Sequence, residues 1–115
     1  MIDDSTTVVA RLHQAQNRHD IDAFVACFAP DYQSAQPIHP DRAFSDRDQV
    51  RANWSIVFRD VPDFQTDMLR VCAAGDTVWT EWHWHGTSAT GGRFAWHSIT
   101  IFGIQDSHIT WLLRR

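Results

Sequence analysis

The segment Val78-Trp79-Thr80-Glu81-Trp82-His83-Trp84-His85 holds the densest chemistry in the chain. It reads as a strand, and strand side chains alternate between two faces. One face then carries Trp82 and Trp84. The other carries Trp79, Glu81, His83 and His85. A carboxylate beside an imidazole raises the histidine pKa and orients its ring, as an acid/base pair requires. Glu81 and His83 are therefore the candidate catalytic residues. The plainer alternative is a polar floor in which Glu81 is paired with Arg114 or a histidine. Glu81, His83 and His85 could also offer three ligands to a metal. No dedicated fourth ligand stands nearby, and His97 on the next strand falls on the other face. No metal and no cofactor is expected.

Such a strand needs neighbours. Strand pattern continues through residues 64–74, 77–87, 93–104 and 108 onward, with Gly75-Asp76, Gly91-Gly92 and Asp106-Ser107 as turns between them. In the third of these, His97, Ile99 and Ile101 share one face, and Trp96, Ser98, Thr100 and Phe102 the other. In the last, Trp111 and Leu113 oppose Leu112 and Arg114. Helical spacing comes earlier. Ser5 to Thr7 can cap a helix carrying Val8, Val9, Leu12, Ala15 and Gln16. Asp20 can cap a short second helix with Ile21, Phe24, Val25 and Phe28, stopped by Pro30. Tyr32 to Gln36 reads as a short strand, followed by a loop holding Pro37, His39 and Pro40. Ser45 or Asp46 can cap a third helix with Val50, Trp54, Val57 and Phe58 on one stripe. Helices gathered before strands define an α+β layered fold.

A length of 115 residues suits one domain, 1–115, with enough surface to bury for a core that needs no disulfide. Cys27 and Cys72 read as buried, reduced thiols of a cytoplasmic protein. The formal charge is −4, and every basic residue is an arginine, scattered from Arg11 to Arg115. That excludes the basic patch a nucleic-acid partner needs. No apolar run reaches the length of a membrane span, and the first residues are acidic and polar, unlike a secretory leader. His13, His19 and His108 are expected at the solvated surface.

Several local words carry a resemblance: Asn17-Arg18-His19-Asp20-Ile21-Asp22-Ala23-Phe24, His39-Pro40, Arg47-Asp48-Gln49-Val50-Arg51-Ala52-Asn53-Trp54, Val61-Pro62-Asp63-Phe64, Gly75-Asp76-Thr77-Val78-Trp79-Thr80-Glu81-Trp82, Gly86-Thr87 and Ile101-Phe102-Gly103-Ile104. In their order and spacing the chain resembles the SnoaL-like, polyketide-cyclase-like branch of the nuclear transport factor two superfamily, which includes ketosteroid isomerase. The resemblance implies a cystatin-like cone, with three N-terminal helices packed in a curved, mostly antiparallel sheet around a pocket. It implies a small-molecule ligand and a homodimer. Alignment with the isomerase implies that Trp79, Glu81, His83 and His85 point into the pocket. His39 then lies near the pocket mouth and Asn53 at a pocket-facing position beside Trp54. With Ser98 and Thr100, the substrate-binding set is His39, Asn53, Trp54, Trp79, His85, Ser98 and Thr100.

The same alignment puts Leu12, Gln36 and Thr100 where the isomerase keeps its working residues. Leucine donates no hydrogen bond and glutamine shuttles no proton, so that mechanism is absent. The expectation is a pocket for a small, apolar, oxygenated molecule. Its chemistry would be cofactor-free: cyclisation, isomerisation, dehydration or hydrolysis, of lyase or isomerase type. The alternative is a non-catalytic homodimeric binding module. The dimer is expected through an outward face of Trp82, Trp84, Ile99, Ile101 and Trp111.

Overall fold

The computed structural model describes residues 4–35, 47–88 and 90–114. Along the chain run α1 (Asp4–Arg18), α2 (Ile21–Ala26), β1 (Phe28–Ala35), α3 (Arg47–Asp60), β2 (Gln65–Ala74), β3 (Thr77–Thr87), β4 (Arg93–Gln105) and β5 (His108–Arg114). The strands form one five-stranded sheet in the order β1-β5-β4-β3-β2. All neighbours are antiparallel except β1, which runs parallel to β5. Register breaks in β1, in β2 and between β4 and β5 bend the sheet. Its inner face packs against all three helices: Val8 and Leu12 of α1, Phe24 of α2 and Val50 of α3 share one core with Val78, Trp82, Phe102 and Leu112. This is the expected α+β architecture.

The corner between α1 and α2 fixes helices to sheet. His19 adopts a left-handed φ of 55°. Its N–H donates to Gln16 O at 3.1 Å, and the Asp20 N–H to Ala15 O at 3.0 Å, closing α1 in a Schellman motif. The Asp20 carboxylate then caps α2 by accepting the Ala23 N–H at 3.1 Å. So held, Asn17 reaches the edge strand: its Oδ1 accepts the Thr66 N–H at 2.8 Å and its Nδ2 donates to Thr66 O at 3.0 Å. His13 also meets Thr66 O, and His19 meets Phe64 O, each at 2.8 Å. These bonds satisfy backbone groups that an edge strand would leave open. His13 and His19 are thus half-buried tethers, not the solvated residues expected.

β1 begins at Phe28, earlier than the expected start at Tyr32. Pro30 is tolerated because β1 is an edge strand and its ladder is broken between Phe28 and Gln33. At the β4–β5 turn, Asp106 and Ser107 both have positive φ, 53° and 61°, the mirror-image turn that matches strand twist. Cys27 is buried, which pushes its thiol pKa up against the opposing pull of Arg11. Cys72 is exposed on the outer face, contrary to expectation.

β4 and β5 present their side chains as expected, but β3 is turned over. Val78, Thr80 and Trp82 are buried on the helix side, while Trp79 is 51% exposed. Directly paired residues share a face. Trp82 pairs with Ser98, and Trp84 with Trp96; Trp79 pairs with Ile101, Glu81 with Ile99 and His83 with His97. Trp82 and Trp84 therefore point inward. Trp79, Glu81, His83 and His85 point outward, and His97 shares their face. The cause is packing. Trp82 fills the core edge-on to His13, with ring centres 5.4 Å apart. Its indole N–H donates to Thr80 Oγ1 at 2.6 Å, and that hydroxyl donates to Thr100 O at 2.7 Å. Both polar atoms are thus satisfied in the interior.

Candidate functional site: an apolar cavity with one cation

A cavity of about 520 Å³ lies between the inner face of the sheet and the helices. Helical spacing brings Val50, Asn53, Trp54 and Val57 of α3 to one wall, and Leu12 and Gln16 of α1 to another. Trp82, Trp84, Thr100, Phe102 and Arg114 form the sheet wall. The end toward α3 is aromatic: Trp54 and Trp84 meet edge to face at 5.7 Å, and Phe24 and Trp54 lie 4.9 Å apart.

A few polar groups break this surface. Arg114 is the one charged lining residue among those described. Its guanidinium carbon sits 4.9 Å from the Trp84 ring centre. The residue is exposed by area, yet protein closely surrounds the guanidinium. That desolvation pulls its pKa below the ordinary arginine value, while the Tyr32 phenol acts in the opposite sense. Arginine remains charged at neutral pH regardless. Gln16 Oε1 and Trp84 Nε1 are buried without a protein hydrogen-bond partner among the described residues. Asn53 Oδ1 accepts a long bond from Gln49 Nε2 at 3.4 Å.

The expected site residues divide three ways. Asn53, Trp54 and Thr100 line the cavity. Ser98 is buried on the same face, its Oγ unpaired, but stands off the cavity wall. His39 lies outside the described residues. Trp79, Glu81, His83 and His85 are on the opposite side of the sheet. There the Glu81 carboxylate is taken by His97 and by Arg70, whose Nε is 3.4 Å away. Pairing with a histidine was anticipated; pairing with Arg114 does not occur.

The sequence reading missed Gln16, Tyr32, Trp82 and Trp84 as cavity residues and entered Arg114 only as a possible partner of Glu81 in a polar floor. A signal existed for two of them: Gln16 falls on the apolar stripe of α1, and Arg114 alternates with Leu112. Among the described residues no carboxylate or imidazole lines the cavity. Its polar groups suit holding an oxygen or an anion more than passing a proton.

Fold and cavity together define a cone-shaped α+β pocket protein. A family model for the SnoaL-like domain matches residues 9–112, and the chain belongs to that family. No curated protein matches it. Among solved structures it is similar to an NTF2-like protein of unknown function from Burkholderia pseudomallei, with 13% identity, 99% of this chain and 91% of that one covered, and a TM-score of 0.84. It is similar to IdmH, a candidate polyketide cyclase from Streptomyces antibioticus, at 21% identity over 96% and 90% of the chains, TM-score 0.81. It is also similar to an LEH-like epoxide hydrolase of M. tuberculosis, at 17% identity over 96% and 80%, TM-score 0.80. At these identities the likeness concerns the fold alone. Among the described residues no helix is long and apolar enough to cross a membrane.

Proposed function

We propose that the protein binds a small, largely apolar molecule whose oxyanion, a carboxylate or an enolate, meets Arg114. The observation that carries this is one guanidinium held in an aromatic cavity of about 520 Å³ that has no other charged lining residue among those described. That volume suits a small organic ligand. Aromatic walls supply apolar contact, and the guanidinium fork with the unpaired Trp84 N–H supplies orientation. Titration of tryptophan fluorescence with an aromatic carboxylic acid and with its methyl ester tests the idea. The acid should bind about tenfold or more tightly, a gap matching one charge-assisted hydrogen bond. Arg114→Met should erase it. Equal affinity for acid and ester in the wild type would overturn the proposal.

A catalytic reading has one observation in its favour. Tyr32 is buried in the cavity wall and interacts electrostatically with Arg114. A phenol beside a guanidinium could exchange a proton with a substrate oxyanion, in the cofactor-free isomerase or lyase manner. In that reading Tyr32 and Arg114 take the roles that sequence gave to Glu81 and His83. Loss of turnover in Tyr32→Phe with binding retained would support it.

The reading includes a homodimer through the outer face of the sheet. With Trp82 and Trp84 inside, its centre becomes Trp79, Ile99, Ile101, Trp111 and Leu113. Trp79, Ile99 and Trp111 are exposed. A contiguous apolar face of this kind favours a two-fold contact with itself.

A further inference from the structure

We infer that Asp67, His83 and His85 form a binding site for a zinc-like divalent transition-metal ion on the outer face of the sheet, apart from the cavity. Asp67 of β2 pairs directly with His83 of β3. His85 follows two residues on, so strand alternation puts all three side chains on one face. The imidazole rings of His83 and His85 stack 5.2 Å apart at 30°.

The distances fit shared ligands better than hydrogen bonds. Asp67 Oδ2 is 3.4 Å from His85 Nε2 and 3.8 Å from His83 Nδ1. One donor atom from each residue lies within 4.8 Å of the other two. Tetrahedral zinc, with bonds of ~2.0–2.1 Å, separates its ligand atoms by roughly 3.3 Å. A charge-assisted N–H···O bond would be shorter, about 2.7–2.9 Å. Small rotamer changes would draw these atoms around one ion.

The other histidines point the same way. Of the described ones, His13, His19 and His108 bond to backbone carbonyls, and His97 bonds to Glu81. His83 and His85 alone have no such bond; both lie against the Asp67 carboxylate, and His85 also acts electrostatically on Asp63. Glu81, which the sequence suggested as the carboxylate ligand, is occupied by His97 and Arg70. Two imidazoles and one carboxylate suit zinc-like ions and not calcium or magnesium, which prefer oxygen. All three side chains are partly exposed, so water can complete the coordination. The ion would tie β2 to β3 just before the register break at Met68–Arg70.

The test is calorimetric titration of zinc alone into chelator-treated full-length protein, with NMR of the histidine rings. One ion per chain should bind, the His83 and His85 ring signals should shift, and thermal stability should rise. Asp67→Asn and His85→Ala should each weaken binding about tenfold or more, and His97→Gln should leave it within about twofold. These positions are exposed enough for the variants to fold, which circular dichroism checks. Absence of saturable binding, ring shifts confined to other histidines, or undiminished binding in both ligand variants would overturn the site.

Discussion

The Arg114 guanidinium carbon lies 4.9 Å from the centre of the Trp84 ring. Contact with the negative ring face, worth about 0.5–2 kcal/mol, helps hold a cation in an apolar cavity to which no described residue brings a carboxylate. The planar fork can then meet an anion edge-on. Lysine keeps the charge but lacks both the fork and the stacking plane. Arg114→Lys should therefore recover little: carboxylate affinity should stay about tenfold below wild type. Full recovery, measured by the same fluorescence titration, would reduce Arg114 to a point charge.

Trp82 is 2% exposed, with its indole N–H bonded to Thr80. Trp82→Ala should destabilise the fold by roughly 3–5 kcal/mol in urea denaturation. A cost under about 1 kcal/mol would mean that β3 presents its other face to the core.

That strand marks the limit of what sequence could decide. The change of period near Asp63 gave the helix-then-sheet order, and the turn at Asp106-Ser107 was legible because the intervals between apolar runs were short and polar. The faces of β4 and β5 were legible from Ser98 and Thr100 against Ile99 and Ile101. In β3 both faces carry tryptophan, so alternation alone could not choose. A one-residue ambiguity there inverts every side chain. Thr80 decided the matter by satisfying Trp82 inside, a contact that depends on a pairing 20 residues away. Asn53, Trp54 and Thr100 were legible as pocket residues. Arg114 entered only as a possible partner of Glu81 and not as a ligand contact, because a charge near the end of a strand ordinarily faces solvent.

Asp63 links the turn after α3 to the end of β3. Its carboxylate accepts the Thr87 N–H at 2.7 Å, and this bond chiefly holds its pKa below the ordinary aspartate value. A folded-state pKa below the unfolded one means that the unfolded chain binds more protons in between. The contribution is fully present above about pH 4 and is lost as pH falls through the depressed value. Asp63→Asn should flatten this part of the acid limb of stability measured by thermal denaturation. An unchanged acid limb would show that the bond contributes nothing.

The outer face makes the oligomeric state testable. Trp79 is exposed and pairs across the ladder with Ile101, which pairs with Leu113. Sedimentation should show a dimer at micromolar concentration for the wild type and a monomer for Trp79→Glu. A monomeric wild type would remove the dimer from the account, and a dimeric Trp79→Glu would move its interface elsewhere.

The most direct test of the central claim follows the indole N–H signals by NMR during titration with an aromatic carboxylate. Trp54 and Trp84 line the cavity, whereas Trp79 lies on the far side of the sheet, as does Trp111, whose ring covers Gly103. Binding in the cavity should shift Trp84 most and Trp54 with it, leaving Trp79 and Trp111 in place. Shifts at Trp79 and Trp111 with Trp84 unmoved would put the ligand on the outer face and contradict the account.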